Sequence, residues 1–369
     1  MSDLRDVLAR KRGEARPAPG AFERLQSRRR RKDFRRRVAA GSWTLVLLVL
    51  GTVATLRLFD VGRSTEQRTP AGPPVVVRSV LLERSPAVLA GGVGSLWIAE
   101  EPRVSFEGAE FQADEKLLRL DPETGQVTGE FSLAAADSGS AMEVGEGAVW
   151  LGGAGTVSRI DPQTGRQVDA FGFGGNTTTL AIASREAAGS PLRGVWVATP
   201  VDDALHHIFP ETGDVETIAP VGDRPLGVAA GEGAVWVVLG GDGTVARVDA
   251  ASGEIVAGIP ASAPTGPITV GFRAVWASTG QGVVRIDPAR SAVASTIRLT
   301  ASPHTLAVGP GGIWAATDDG ISVIDPATNV ASRVLDLTDV RGLAPAAGGM
   351  WAATQQELLL LQPGRPAAD

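Results

Sequence analysis

The chain lacks cysteine and tyrosine altogether, and only 3 of its 369 residues are histidine. Without thiols, disulfide scaffolds, thiolate zinc sites, iron–sulfur clusters, cysteine nucleophiles and lipidated-cysteine anchors are all excluded. Three histidines leave little room for a histidine-built metal centre. No G-x-S-x-G and no Ser/His/Asp spacing is present, so serine-hydrolase chemistry has no sequence support. What the chain has in plenty is glycine, 46 residues spread along its length, which signals many tight turns. The length permits one large domain or two ordinary ones, since all-β propellers and barrels exceed the usual domain size.

Charge is scarce in one place and crowded in another. Residues 1–37 carry 14 Lys+Arg against 5 Asp+Glu, a net +9, and residues 38–369 carry 21 against 36, a net −15. The basic run ends in Arg35, Arg36 and Arg37, directly before 19 uncharged residues, Val38–Leu56. A run of that length spans a bilayer as a helix, and its basic flank keeps the N-terminus in the cytoplasm. We therefore expect a cytoplasmic basic tail (1–37), a signal-anchor helix (38–57), a linker (58–73) and everything beyond it outside the cell membrane. A cleaved signal peptide competes, but the basic region is long and no A-x-A site follows the apolar run. The basic segment serves topology and anionic lipid heads, or contacts a cytoplasmic partner; a nucleic-acid arm is disfavoured, as is nucleic acid for the acidic exported part.

Tryptophan then marks a repeat. Apart from Trp43 in the apolar run, the residues are Trp97, Trp150, Trp196, Trp236, Trp276, Trp314 and Trp351, spaced 53, 46, 40, 40, 38 and 37 apart. Each follows a Gly-containing turn (GEGAVW, GPGGIW) and precedes a short alternating stretch that ends in a second turn (RLDPETG, RIDPQTG, RVDAASG). From Trp97 to Asp121 the distance is 24 rather than 11 to 13, so the first unit carries an insertion, EPRVSFEGAEFQADE at 101–115. A unit of about 40 residues with four short strands and no helical period is a β-propeller blade. In the unit from His304 to Leu337 the strands a to d read HTLAVG, GIWAAT, GISVID and VASRVLDL. Seven units give seven blades. The last unit ends before its strand d, which Pro74–Glu83 can supply, so the fold is expected to be an all-β seven-bladed propeller over 74–364, closed by an N-terminal strand and followed by a short tail, 365–369.

By the recurrent LAVGxGGIWxxxxxxGxVxRIDPxTG, residues 74–364 resemble seven-bladed propellers of the virginiamycin B lyase-like (streptogramin lyase) group and related YVTN-type repeats. The N-terminal stub resembles those of actinobacterial membrane proteins encoded with sigma-factor systems. Quinoprotein repeats place Trp after the DxxTG turn; here it precedes that turn, which argues against that cofactor. Streptogramin lyases use a channel-top His with carboxylates that hold a divalent ion. That resemblance implies His304 (in SPHTLAVG) as catalytic base and Glu100 (in LWIAEE) as a carboxylate, with Mg²⁺ or Ca²⁺ as the ion. The E-x-H pair of the family is absent from every repeat.

In a meander blade the d–a and b–c connections share one face. The former offer Arg84, Ser85, Glu143, Asp223, Arg224, His304 and Arg341, and the latter Glu100, Glu101, Asp202, Asp203, Asp242, Asp318, Asp319 and Gln355. As binding residues at the channel top we select Glu100, Glu101, Glu143, Arg224, Asp318 and Arg341, with the insertion able to fold over the channel mouth. No metal ligands and no cofactor are assigned. The competing bland readings are a satisfied rim residue for His304 and packing for the seven Trp. His207, which stands where Arg119, Arg159, Arg247 and Arg285 stand elsewhere, is structural, and His206 beside it is expected to be exposed. A sequon at Asn176–Thr178 carries no weight without the host. The expected function is a membrane-anchored extracytoplasmic module that binds a small molecule or protein without catalysis; the alternative is a divalent-metal-dependent lyase or lactonase acting through His304.

Overall fold

The computed structural model describes residues 72–364 except 102, 108–109, 134–140, 154, 174–180, 186–192 and 219. The basic tail, the apolar span, most of the linker, the sequon and the tail 365–369 lie outside the described residues. Every regular element among the described residues is a strand, and no helix there is long and apolar enough to cross a membrane.

The strands fall into seven antiparallel sheets, as the seven Trp units require. The first holds β2 (Pro86–Gly92), β3 (Ser95–Glu100), β5 (Glu110–Leu120) and β6 (Val127–Leu133), with β1 (Gly72–Leu81) preceding it and β4 (Arg103–Glu107) appended to β5. The second holds β7 (Ala141–Gly145), β8 (Ala148–Gly153), β9 (Thr156–Ile160) and β10 (Gln167–Gly172). The third is β11 (Ala181–Arg185), β12 (Gly194–Thr199), β13 (Ala204–Phe209) and β14 (Asp214–Ile218). The fourth is β15 (Pro225–Gly231), β16 (Ala234–Leu239), β17 (Thr244–Val248) and β18 (Ile255–Pro260). The fifth is β19 (Pro264–Gly271), β20 (Ala274–Thr279), β21 (Gly282–Asp287) and β22 (Ala292–Arg298), and the sixth β23 (Thr305–Gly309), β24 (Gly312–Thr317), β25 (Gly320–Asp325) and β26 (Val330–Leu335). In the seventh, β27 (Gly342–Ala346), β28 (Gly349–Ala353) and β29 (Glu357–Gly364) are completed by β1, in the order β1-β29-β28-β27. The N-terminal strand thus closes the last blade.

The inner strands β2, β7, β11, β15, β19, β23 and β27 touch in succession and back to β2, which makes the ring. They come close because small residues line them. A Cβ on Gly227 would lie 1.9 Å from the Gly266 carbonyl oxygen, and one on Gly91 would lie 2.5 Å from that of Pro345, across the closing seam. Strand b is buried along its whole length in blades 2 to 6, whereas the outer strand d is exposed along most of its length, as in β14 and β22.

All seven Trp are under 2% exposed and sit in the middle of strand b. Directly opposite on strand c stands an arginine in four blades: Arg119 to Trp97, Arg159 to Trp150, Arg247 to Trp236 and Arg285 to Trp276. In three of them the guanidinium lies over the indole, at 5.6, 5.5 and 5.2 Å from its centroid. The same guanidinium then donates to a proline carbonyl in the next blade's c–d turn. Arg119 reaches Pro162 at 3.1 Å, Arg159 Pro210 at 2.8 Å, Arg247 Pro288 at 3.0 Å and Arg285 Pro326 at 2.7 Å. At the seam Trp351 Nε1 donates to Pro122 at 2.9 Å.

The turn itself is held by its aspartate. Asp121 Oδ1 accepts from the Thr124 N–H at 2.7 Å, the Thr124 hydroxyl at 2.9 Å and the Glu123 N–H at 3.0 Å, and Asp161 repeats the set. These hydrogen bonds, that from the Thr124 or Thr164 backbone first, hold both carboxyls below the usual range. The turns then leave through Gly125 (φ 70°) and Gly165 (φ 66°).

In blades 1, 2, 4 and 7 the a–b turn takes two residues of positive φ, the second being Gly94, Gly147, Gly233 or Gly348, whereas blade 6 turns through Pro310 and Gly311 (φ 82°). Blade 5 instead has Phe272 and Arg273 at φ 53° and 58°. Arg273→Gly is expected to raise stability by about 1 kcal/mol by removing the left-handed strain, read as a higher urea midpoint. An unchanged or lower midpoint would contradict the strain assignment.

Candidate functional site at the top rim

The end of the ring that carries the d–a connections and b–c hairpins, termed the top, gathers most of the polar residues singled out from sequence. Its hairpins are built alike. At the end of strand b, or just past it, a threonine hydroxyl closes the turn: Thr199 onto the Ala204 carbonyl, Thr279 onto Gly282, Thr317 onto Gly320 and Thr354 onto Glu357, at 3.1 to 3.3 Å. Blade 1 breaks the pattern, because Glu100 takes the threonine's place and the hairpin continues into β4 and β5.

At the closing seam, Glu100 is 6% exposed and pairs with Arg84, Oε2 to Nε at 3.5 Å. That is an ion-pair distance with no hydrogen bond, since Glu100 Oε2 accepts none among the described residues. Burial pushes the Glu100 carboxyl up, against the pull of Arg84 and Lys116. Glu100 is therefore a buried acid and not part of an open rim. Its exposed neighbour Glu101 donates its N–H to the Ser85 carbonyl at 2.8 Å and pairs with Arg341 at 3.6 Å. Arg341 also pairs with Asp339 at 3.1 Å.

Between blades 3 and 4 the carboxylates tie their own loops. Asp203 Oδ1 accepts from the Arg224 N–H and Asp242 Oδ2 from the Asp223 N–H, both at 2.9 Å, and Asp203 and Arg224 are held at φ 54°. Arg224 is exposed. Beneath this rim lies His206, which corrects the sequence expectation: it is 5% exposed, not on the surface. Its Nε2 meets the Thr199 hydroxyl and its Nδ1 the Thr217 hydroxyl, each at 3.0 Å, with Asp202 at 3.7 Å and the Phe173 ring at 4.5 Å. His207 is also buried and stacks on Trp196, centroids 3.8 Å apart, with Nε2 on the Arg193 carbonyl at 2.8 Å. It takes the arginine's place as a packing residue.

Between blades 5 and 6 the loops are tied by hydroxyls. Thr265 and Ser278 hydroxyls meet at 2.8 Å, and Ser302 donates to the Thr279 carbonyl at 3.1 Å. His304 follows in the same loop, exposed, its N–H on the Ala316 carbonyl at 3.0 Å and its Nδ1 3.5 Å from the Thr305 hydroxyl. Asp318 and Asp319 are exposed on the neighbouring hairpin.

Glu143 is not in a connection, contrary to its sequence placement. It lies within β7 opposite Trp150, half-buried, where the other inner strands carry Ala90, Ala183, Ala229, Thr269, Ala307 and Ala344. The selected residues thus divide into a seam sector (Glu100, Glu101, Arg341), a loop-tying sector (Arg224), a hydroxyl sector (His304, Asp318) and an inner-strand acid (Glu143). Among the described residues no three His, Asp or Glu side chains converge to hold a metal ion. The threonine plugs and the His206 pair with Thr199 and Thr217 are what sequence reading missed. Threonine three residues after Trp, in four repeats, is the signal that was there.

Removing the cation from the seam pair leaves a buried acid alone, so Arg84→Met is expected to cost on the order of 3 kcal/mol. The double variant with Glu100→Gln should recover much of that loss in urea unfolding, and equal midpoints for the single and double variants would argue against the pair. The histidines give a pH dependence. Burial lowers both imidazoles, opposed by Asp202 at His206, and by the Arg193 carbonyl and Glu216 at His207. Their folded values lie below the ordinary value of about 6.5, so the unfolded chain binds more protons just under that pH. Stability is then full above about 6.5 and falls as the pH drops below it. His206→Gln should flatten the fall in a pH series of melting curves; an unaltered slope would exclude His206 as its source.

No model of a protein family matches the chain, and none of the curated proteins does. Solved structures do. BamB from Moraxella catarrhalis is similar at a TM-score of 0.53 and 15% identity, over 78% of this chain and 99% of its own. The Neurospora crassa Pan2 WD40 domain is similar at 0.60 and 11%, over 80% and 97%. At such identities the likeness shows the fold, a seven-bladed β-propeller.

Proposed function

We propose that the protein is a membrane-anchored, extracytoplasmic propeller that binds a small molecule or protein partner through its top rim, without catalysis. The carrying observation is that the rim's polar groups are spread over separate sectors, each tied by its own loops, with Arg224, His304, Asp318 and Arg341 left exposed. Such a surface offers many weak polar contacts around a ring and no paired acid and base, which suits recognition better than bond breaking. The uncharged run 38–56 behind its basic flank supports the anchor. The acidic balance of the exported part speaks against nucleic acid.

The virginiamycin B lyase-like alternative, elimination or lactone opening with Mg²⁺ or Ca²⁺ at His304, requires carboxylates at that histidine. Among the described residues its imidazole meets the Thr305 hydroxyl, and no carboxylate pairs with it. The two readings separate by ligand linkage. The melting temperature of the full chain in detergent is expected to be the same with and without millimolar Mg²⁺, Ca²⁺ or Mn²⁺, and the same in His304→Ala. A rise with one ion that the variant loses would put the lyase first.

A further inference from the structure

The b–c connection of blade 1 carries a strand pair of its own. β4 pairs with the first half of β5 without any register shift, Arg103 opposite Asp114 through Glu107 opposite Glu110. Yet β3 pairs with β5 only from Leu117 onward, and β6 only from Glu115. The five residues of β4 and residues 110–114 of β5 therefore pair with each other and with no other strand among the described residues. This arm of about 17 Å has no further strand partner for its main-chain N–H and C=O groups among the described residues, and β4 is the last strand of its sheet. Proteins ordinarily blunt such edges with a bulge, a proline or a lysine. Here the register is regular, and neither β4 nor residues 110–114 of β5 contains proline or lysine. The root of the arm is fixed: Glu101 is bonded to Ser85 and paired with Arg341, and Glu100 is buried with Arg84.

We propose that this arm is a strand-addition site for an extended, basic peptide segment of a protein partner. The proposal rests on the binding-module reading and names its partner. An open edge takes a strand in main-chain hydrogen bonds, and the flanking charges choose which strand. The two strands of the arm carry Glu107, Glu110 and Asp114 against a single Arg103, a net −2. A second copy of the arm would set acid against acid and is disfavoured, while alternating Lys or Arg on an incoming strand would be attracted.

The test uses the full chain in detergent and three labelled octapeptides: alternating Lys and Val, alternating Glu and Val, and the Lys–Val peptide N-methylated at every second residue. The chain is expected to bind the Lys–Val peptide, to ignore the Glu–Val peptide and to bind the N-methylated one at least about tenfold more weakly. The double variant Glu107→Lys with Glu110→Lys should reverse the preference. A chain in which residues 102–114 are replaced by Asp-Asp, the turn of blade 6, should bind none, with an unchanged melting temperature showing that the ring is intact. Equal binding of the N-methylated peptide would overturn strand addition, leaving charge alone. Undiminished binding by the shortened chain would overturn the arm as the site while the binding-module reading stood. Failure of every peptide would also overturn the inference, and photo-crosslinkers at Arg224 and Asp318 would then test the rim separately.

Discussion

A buried indole covered by a guanidinium that belongs to the same blade but bonds to the next is the interaction on which the ring depends. Each blade is a small meander that cannot bury its own two faces. The tryptophan fills the space between neighbours, and the half-buried arginine above it needs an acceptor for the donors it turns away from water. The proline carbonyl of the following turn supplies one, and it is available because proline's fixed φ and the aspartate's hydrogen bonds hold that turn in a single shape. Local turn chemistry in one blade thus satisfies a buried group in its neighbour. At one interface the pattern changes on both sides: blade 3 has His207 instead of arginine, and blade 4 has Ala250 instead of proline.

Closure follows the same logic at the chain ends. Blade 7 has Leu360 where the arginine would stand, and its Trp351 donates directly to Pro122 of blade 1. β1 completes that blade along Val75–Leu81, covering β29 with a segment from the other end of the chain. Non-local pairing of this kind cannot form until the ring is nearly assembled, so the seam is the entropically dearest contact in the fold. The buried Arg84–Glu100 pair and the Arg341–Glu101 pair lie at this same seam, so blades 7 and 1 are joined by charge as well as by packing.

Blade number, strand order and closure were legible in the sequence because they rest on spacing: seven tryptophans, a recurrent DPxTG and a last unit short of one strand. Faces were less legible. Period-two alternation separates inside from outside only when one face of a strand meets water, and in a propeller the inner three strands are covered on both. That is why His206 and His207, adjacent and therefore on opposite faces of β13, are both buried. Glu100 and Glu143 were misjudged for a related reason. Spacing placed them near the mouth, but nothing in it says that Glu100 replaces a hairpin-closing threonine, or that Glu143 stands in a row of alanines along the channel wall.

The rim shows how a repeat acquires individuality. Six blades close their b–c hairpins tightly, and three of these do so with a buried threonine, which leaves the main chain at that end satisfied. Glu100 cannot close a hairpin in that way, since a carboxylate offers no proton to the next carbonyl. In blade 1 strands b and c run on through the inserted segment, and among the described residues β4 and the first half of β5 pair only with each other. Glu100 thus stands both in the buried pair with Arg84 and at the base of the extension. Two changes at the end of one strand b, an acid and an insertion, set blade 1 apart chemically, and the mouth of the ring acquires a direction.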